Sequence, residues 1–240
     1  MIANSLLSVL YPQKCQVCSG PIDHLKSAVA CSDCWKETRL FSGEEMLCGR
    51  CGALLGEKAA PMPVFCRKCD DYHFERAFAA GIYEKALAAE VSALKAADHL
   101  SPAIRSTIRK SLDLHSGKIT GDMVVPVPLS KLRRVERGFN QAETIAVAVA
   151  KILKIPVDAM SLTRTVHTPI HRVGMDQKAR ELTVEKAFAV IRPNLIKDKN
   201  IVLVDDVMTS GATTSACAKA LKKAGSGRVT VFTLARAVLQ

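Results

Sequence analysis

After residue 75, short apolar runs alternate with segments whose apolar residues have helical spacing, which predicts strands separated by helices. Short apolar runs predict strands at 78–83, 122–128, 201–205 and 229–235, and two further strands near 157–163 and 187–191. Apolar residues at helical spacing predict one or two helices within 85–114, a helix at 139–154 and a helix at about 213–224 that ends at Gly225. This order favours a mainly parallel α/β sheet flanked by helices, a fold in which ligands bind at the carboxyl ends of the strands.

The first 75 residues lack this alternation and carry most of the cysteines instead. Eight of the nine cysteines form four Cys-x-x-Cys pairs, a spacing that lets two thiolates face one metal ion: Cys15, Cys18, Cys31, Cys34, Cys48, Cys51, Cys66 and Cys69. The separations of 12 residues between Cys18 and Cys31 and 14 between Cys51 and Cys66 fit two consecutive tetrahedral zinc sites. An interleaved pairing of the four pairs remains open.

Four thiolates leave no open ligand position, so we interpret these zinc sites as structural, supplying folding free energy to a segment with few core residues. Cys217 falls on the apolar side of a predicted helix and is expected in the core. His24 and His73 lie near the cysteine pairs and are interpreted as surface residues rather than metal ligands. We therefore expect a small zinc-ribbon module at 1–75 and an α/β domain at 76–240.

The formal net charge of +11 is concentrated in the second part of the chain. Residues 1–75 contain 8 Lys or Arg against 9 Asp or Glu, whereas residues 76–240 contain 26 against 14. A positive field suits a polyphosphate or a nucleic acid backbone, although ordinary solubility also explains it. No segment approaches the roughly 20 apolar residues of a membrane span, and the amino terminus lacks the features of a signal peptide. We therefore expect a cytoplasmic protein without membrane insertion.

The segment IVLVDDVMTSGATTSACAKAL (201–221) places two adjacent carboxylates between a strand and a hydroxyl-rich loop that precedes a helix. Carboxylates repel phosphate but accept hydrogen bonds from hydroxyl groups, so Asp205 and Asp206 suit the two hydroxyls of a ribose. The alternative makes Asp206 a turn residue and Asp205 a buried acid paired with a lysine. The loop that follows is expected to surround the 5′-phosphate with its N–H groups and hydroxyls: Thr209, Ser210, Gly211, Ala212 and Thr213.

The stretch VLVDDVMTSGATT resembles the phosphoribosyl pyrophosphate (PRPP) signature of type I phosphoribosyltransferases, with Ser210 where that family usually has threonine. Together with the cysteine pairs, PVPLS (126–130), RGFNQA (137–142) and LAR (234–236), it makes the chain resemble the ComF family over nearly its full length. The resemblance implies a double zinc ribbon before a type I phosphoribosyltransferase-like domain that binds PRPP with Mg²⁺. It also implies a role in DNA uptake, natural transformation or recombination of incoming single-stranded DNA, with other competence or recombination proteins as partners.

By the same resemblance, Asp205 and Asp206 bind the ribose hydroxyls and residues 209–213 bind the 5′-phosphate. Ser130, Lys131 and Arg137 are expected to face the pyrophosphate from a loop after the strand at 122–128. Any catalysis is expected to depend on Asp205, Asp206 and Arg137. The neighbouring Arg133 and Arg134 belong to the same basic run and are equally consistent with solvated surface charges.

One region departs from the family pattern, which usually has Thr-x-x-Gln and later Arg-x-x-Asn after Arg164. Thr168, Pro169 and Arg180 are kept, whereas His171 replaces the Gln and Thr183 replaces the Asn. If this region closes over the site, the changes bear on substrate choice or on catalytic competence. Two other functions therefore stay open. One is a metabolic transferase that moves phosphoribose from PRPP to a base or amine, and the other is a sensor that binds PRPP without turnover.

Overall fold

The computed structural model describes residues 14–22, 29–165 and 187–238. Eight strands lie within these ranges: β1 (Met46–Leu47), β2 (Leu54–Gly56), β3 (Arg76–Ile82), β4 (Met123–Pro126), β5 (Leu162–Arg164), β6 (Phe188–Val190), β7 (Ile201–Met208) and β8 (Val229–Arg236). A parallel four-stranded sheet has the order β3-β8-β7-β4. Its central strand β7 therefore has β8 on one side and β4 on the other.

Seven α-helices are found in the same ranges: α1 (Ser32–Lys36), α2 (Lys85–Ala93), α3 (Pro102–Leu114), α4 (Lys131–Arg137), α5 (Gln141–Leu153), α6 (Pro193–Ile196) and α7 (Ala212–Lys223). Side-chain caps fix where two of them begin, because the first N–H groups of a helix have no partner within it. The Ser101 hydroxyl accepts from Ile104 N before α3, and the Asn140 side chain accepts from Ala142 N before α5. Among the described residues, none of the helices has the length and apolar character needed to cross a bilayer.

The two faces of the central sheet bury different layers because successive strand residues point to opposite sides. Val202 and Val204 pack on one face with α2, α3 and α5. Ile201 and Leu203 pack on the other face with α7, with β5 and β6, and with cysteines of the N-terminal part, including Cys69. The N-terminal part and the α/β domain therefore share one core on this second face.

The predicted mainly parallel α/β sheet with flanking helices is confirmed, but the segments near 157–163 and 187–191 do not extend it. They contain β5 and β6, which pair with each other in a separate antiparallel sheet. Only Val157 makes an isolated bridge to β4, at Val124. The Asp158 carboxylate then accepts from Met160 N and Ser161 N, both at 2.9 Å, which turns the chain before β5 begins.

Residues 131–137, predicted as a loop, form the helix α4. The Ser130 hydroxyl accepts from Arg133 N at 3.4 Å at its start, and Gly138 ends it with a φ of 76°. No residue of α4 is buried, and its apolar side chains Leu132 and Val135 are exposed. The apolar periodicity that reveals a packed helix is therefore missing from this sequence.

The cysteines form two groups of four that follow each other along the chain. Cys15, Cys18, Cys31 and Cys34 form the first cysteine group, and Cys48, Cys51, Cys66 and Cys69 form the second cysteine group. Within each group the four Sγ atoms lie within 4.8 Å of one another. The consecutive pairing is therefore confirmed, and the interleaved pairing is wrong.

The spacing of the sulfur atoms fits a tetrahedral zinc ion. Neighbouring Sγ atoms are 3.8 Å apart for Cys15 and Cys34 and 3.5 Å apart for Cys51 and Cys66. Both distances are much longer than a disulfide bond of about 2.05 Å. They are close to the roughly 3.8 Å edge of a tetrahedron with Zn–S bonds of about 2.3 Å. Both groups therefore suit structural zinc.

Backbone N–H groups point at one sulfur of each group, which favours the thiolate that a metal requires. The Cys15 Sγ accepts from Cys31 N and the Cys48 Sγ accepts from Cys66 N, both at 3.3 Å. Burial raises the pKa of Cys15, but hydrogen bonds from the N–H groups of Cys18, Cys31 and Val17 outweigh it and lower the pKa to about 6. The two groups thus repeat one local arrangement.

The remaining predictions about Cys217 and His73 are confirmed. Cys217 is fully buried in the core, as predicted. His73 belongs to neither cysteine group and is exposed, as predicted, and its Nδ1 lies 3.1 Å from the Ser215 hydroxyl. His24 lies outside the described residues.

Metal analysis of the purified chain should return two zinc ions per molecule, because each cysteine group supplies a complete tetrahedral ligand set. Cys217→Ala is the matched control, since it removes a cysteine that belongs to neither group, and should also return two. A content of one or none in the unaltered chain would contradict the assignment of both groups.

Candidate functional site

Asp205 and Asp206 lie on β7 itself, near its carboxyl end, rather than in the loop after it. Adjacent strand residues point to opposite faces of a sheet, and the two carboxylates have different neighbours. Asp206 Oδ2 accepts from Gln141 Nε2 of α5 at 3.2 Å. Asp205 lies towards α7, where burial, followed by the negative charge of Asp205, raises the pKa of Cys217. The pair is thus divided between the two layers that cover the sheet.

Asp205 and Asp206 are both partly buried, and their negative charges repel each other. Burial, followed by the negative charge of Asp206, raises the pKa of Asp205 well above its usual range. The N–H of Asp206 and the positive charge of Arg164 act in the opposite direction. The Asp206 N–H donates to Asp205 Oδ1 at 2.9 Å, and the Val207 N–H donates to Asp206 Oδ1 at 2.7 Å. Within residues 14–22, 29–165 and 187–238, no lysine is among the groups that shift this pKa.

The predicted phosphate loop lies between the end of β7 and the start of α7. Thr209 and Ser210 are exposed, Gly211 is buried, and Ala212 and Thr213 open the helix. Gly211 has a φ of +77°, a left-handed conformation that glycine adopts without strain. The Ala212 N–H at the start of α7 donates to Ser210 Oγ at 3.4 Å, and the helix dipole favours an anion at this position.

Two side chains outside the loop hold its carbonyl groups. Arg236, buried at the end of β8, donates through Nη1 to the Met208 carbonyl at 2.8 Å and also to the Thr209 carbonyl. The Tyr72 hydroxyl, from the N-terminal part, donates to the Ser210 carbonyl. Burial raises the pKa of Tyr72 to about 12, so its hydroxyl stays protonated as a donor at neutral pH.

The opposite wall of the site follows β4, the neighbour of β7. Asn140 Nδ2 donates to the Val127 carbonyl at 3.0 Å and so ties the segment after β4 to the start of α5. Ser130 is buried and caps α4, whereas Lys131 is exposed in its first turn. Arg137 Nη1 donates to Gln141 Oε1 at 2.9 Å, and Gln141 in turn donates to Asp206. The structure therefore brings Arg137 and Asp206 together through Gln141.

Sequence reasoning missed Gln141, Arg236 and Tyr72 as contributors to the site. Gln141 and Arg236 stand within RGFNQA and LAR, the stretches that carried the family resemblance, so a signal was present without a role attached. Tyr72 had no such signal, because its contact with Ser210 joins residues 138 positions apart. The departures at His171 and Thr183, with Thr168, Pro169 and Arg180, lie outside the described residues.

Two family models match the chain. A double zinc ribbon domain matches residues 6–70, and a phosphoribosyl transferase domain matches residues 140–238. The first match contains both cysteine groups, and the second contains the acidic pair, the phosphate loop and Gln141.

Among solved structures, the chain is similar to a glutamine PRPP amidotransferase from Bacillus subtilis complexed with ADP and GMP. The likeness has a TM-score of 0.38 at 20% identity and covers 56% of this chain and 28% of that one. A purine phosphoribosyltransferase from Pyrococcus horikoshii is similar with a TM-score of 0.30 at 18% identity, over 56% of this chain and 80% of that one.

Curated relatives cover more of the chain. Competence protein F of Haemophilus influenzae is 28% identical over 93% of this chain and 97% of that protein. DNA utilization protein YhgH of Escherichia coli K12 is 27% identical over 94% and 97%. Competence protein ComFC of Bacillus subtilis is 33% identical over 48% of this chain and 44% of that protein. The chain thus combines a double zinc ribbon domain with a phosphoribosyl transferase domain, and over nearly its full length it is similar to proteins named for competence and for DNA utilization.

Proposed function

We propose that this chain is a ComF-type protein that binds PRPP at the carboxyl end of β7 and acts in the uptake or recombination of incoming DNA. The observation that carries the proposal is the order of groups on one strand end. Two partly buried carboxylates are followed at once by an exposed loop that opens a helix. This order supports a ligand with neighbouring hydroxyls and a phosphate, such as ribose 5-phosphate, because carboxylates accept from hydroxyls and a helix start favours an anion.

The residues present fit the three parts of PRPP. Asp205 and Asp206 accept from the ribose hydroxyls, and residues 209–213 donate to the 5′-phosphate. Lys131 and Arg137, on the side of β4, supply positive charge to the pyrophosphate. Mg²⁺ bound with the pyrophosphate would neutralise part of its charge, and oxygen ligands of the kind available here suit that ion.

The charge conflict within the acidic pair supports a role in binding. Two neighbouring carboxylates repel each other and so destabilise the fold, and carboxyl groups with strongly shifted pKa values cluster at functional sites. Hydroxyl donors of a bound ribose would offset the repulsion. The pair is therefore better explained by a ligand than by the stability of β7.

The proposed role with DNA is supported by the relatives and by the charge of the chain. The relatives aligned over nearly the full length are named for competence and for DNA utilization. The positive charge lies mainly in residues 76–240, and α4 exposes Lys131 and Arg134 beside the site. Binding of single-stranded DNA by such a surface would depend mainly on phosphate contacts. Pyrophosphate release from PRPP, measured with and without DNA or a base, separates turnover from binding alone.

Asp205→Ala combined with Asp206→Ala should weaken PRPP binding at least about 100-fold, because each change removes charged acceptors of ribose hydroxyl bonds. Isothermal titration measures the affinity, and two zinc ions should be retained. The exposed pair Asp98→Ala and Asp113→Ala makes the same charge change and should bind PRPP like the unaltered chain. Tight PRPP binding by the double variant at β7 would refute the site.

Asp206→Asn should raise the thermal unfolding midpoint at about pH 8 by roughly 2–4 °C, because it removes the repulsion that raises the pKa of Asp205. A carboxyl group whose pKa is raised by folding destabilises the protein as the pH rises through that pKa, so the gain should shrink as the pH is lowered. Asp98→Asn, at an exposed position, should not change the midpoint. A lower midpoint for Asp206→Asn at about pH 8 would show that the pair stabilises the fold.

Single-stranded DNA binding should weaken steeply with salt, and Arg133→Gln with Arg134→Gln should reduce the slope of log affinity against log salt by about 0.7 for each phosphate that the variant no longer neutralises. Fluorescence anisotropy at several salt concentrations gives this slope. Lys197→Gln with Lys223→Gln removes two exposed charges at the end of the sheet where β7 and β8 begin, and should leave the slope unchanged. An affinity independent of salt would contradict DNA binding through the phosphates.

A further inference from the structure

The second cysteine group packs in the same core cluster as α7, and the residues that follow it in the chain contact the phosphate loop. Its cysteines share a core cluster with Met208 and Ala216, which flank the loop. Just after Cys69, the Tyr72 hydroxyl donates to the Ser210 carbonyl, and His73 N donates to the Ser215 hydroxyl at 3.2 Å. A structural metal group therefore lies against the part of the site proposed to hold the 5′-phosphate.

The first cysteine group packs elsewhere. Its core cluster contains Cys15, Cys31, Cys34 and Ala86, and Ala86 belongs to α2. Helix α2 covers the face of the sheet opposite to α7. The two metal groups of one chain thus differ in their contact with the phosphate loop, which provides an internal comparison.

The position of Tyr72 is fixed by the second cysteine group. Arg50, between Cys48 and Cys51, donates through Nη2 to the Tyr72 carbonyl and through Nη1 to the Asp70 carbonyl at 3.2 Å. Tyr72 N also donates to the Cys69 carbonyl at 3.3 Å. The segment that carries Tyr72 is thus held by residues that lie between or beside the cysteines of the second group.

Tyr72 in turn fixes the orientation of one peptide group in the loop. The C=O and N–H of a trans peptide point in opposite directions, so a Ser210 carbonyl held by Tyr72 directs the Gly211 N–H away from the tyrosine. Arg236 holds the Thr209 carbonyl and directs the Ser210 N–H in the same manner. Preset N–H groups of this kind form an anion site without reorganisation on binding.

Gly211 provides the space that this contact needs. A Cβ atom on Gly211 would lie 2.8 Å from Tyr72 Cζ and 2.9 Å from its hydroxyl oxygen. Together with the left-handed φ, this makes glycine necessary for two reasons at one position. The ring of Tyr72 therefore packs directly on the turn of the loop.

We propose that Tyr72 is a positioning residue for the 5′-phosphate, and that it couples the second cysteine group, but not the first, to phosphate binding. The inference rests on the proposed function, because it assigns the loop at 209–213 to the 5′-phosphate of PRPP. Coupling of two sites is reciprocal, so a bound phosphate should also protect the second metal group.

The first test compares Tyr72→Phe with the unaltered chain by titration with ribose 5-phosphate, PRPP and inorganic pyrophosphate. Removal of the hydroxyl should weaken ribose 5-phosphate and PRPP by roughly 5- to 10-fold. Pyrophosphate binding should stay within about twofold, because it depends on the side of β4 and not on the loop. Tyr83→Phe, which removes a hydroxyl from the opposite core cluster, is the matched control and should change none of the three affinities.

Equal weakening for all three ligands would indicate general destabilisation and would overturn the inference. Unchanged affinity of Tyr72→Phe for ribose 5-phosphate would also overturn it, while the proposed function would stand if the unaltered chain binds PRPP. Failure of the unaltered chain to bind either PRPP or ribose 5-phosphate would remove the proposed function and the inference together.

The second test needs no variant that alters a metal ligand. Chelator is added with an alkylating reagent, and mass spectrometry follows modification of each cysteine pair in the full chain. Ribose 5-phosphate should slow alkylation of Cys66 and Cys69 by at least about 5-fold and leave Cys15 and Cys18 unchanged. In Tyr72→Phe this protection should disappear. Equal protection of both groups, or of neither, would contradict the coupling.

Discussion

Repulsion between Asp205 and Asp206 is the constraint around which the site is arranged. The two carboxylates stand side by side near the end of a central strand, where burial and mutual charge raise the pKa of Asp205. A different group stabilises each carboxylate. The Gln141 amide donates a hydrogen bond to Asp206, and the positive charge of Arg164 lowers the pKa of Asp205. The strand end is thus held in an unfavourable electrostatic state that donors from a ligand can improve, and the phosphate loop follows it directly.

The loop depends on supports that come from distant parts of the chain. Arg236 reaches it from the end of β8 and Tyr72 reaches it from the N-terminal part. The first contact follows from the parallel pairing of β7 and β8, because their carboxyl ends lie side by side at the same end of the sheet. The second contact requires that the second cysteine group pack on the same face as α7, which makes this zinc ribbon part of the structure around the site.

Much of the architecture could be predicted from local pattern. The central strands and the helices that cover them have apolar faces, and the cysteine spacing indicated two groups of four, because neighbouring Cys-x-x-Cys pairs can close a tetrahedral site. The prediction was wrong at 131–137, where α4 buries no side chain and therefore leaves no apolar period. It was incomplete at β5 and β6, because three-residue strands show too little alternation to reveal whether they extend a sheet or pair apart.

The sequence by itself determined the chemistry available: two sets of four thiolates, an acidic pair, and a small hydroxyl-rich loop before a helix. These features are local, since each depends on residues within a few positions of one another or on one metal ion. Tertiary structure alone decided that Asp206 bonds to Gln141 and through it approaches Arg137, and that Tyr72 meets Ser210 across 138 positions. Such contacts depend on which faces of the sheet are covered by which elements, and no local pattern of residues records that choice.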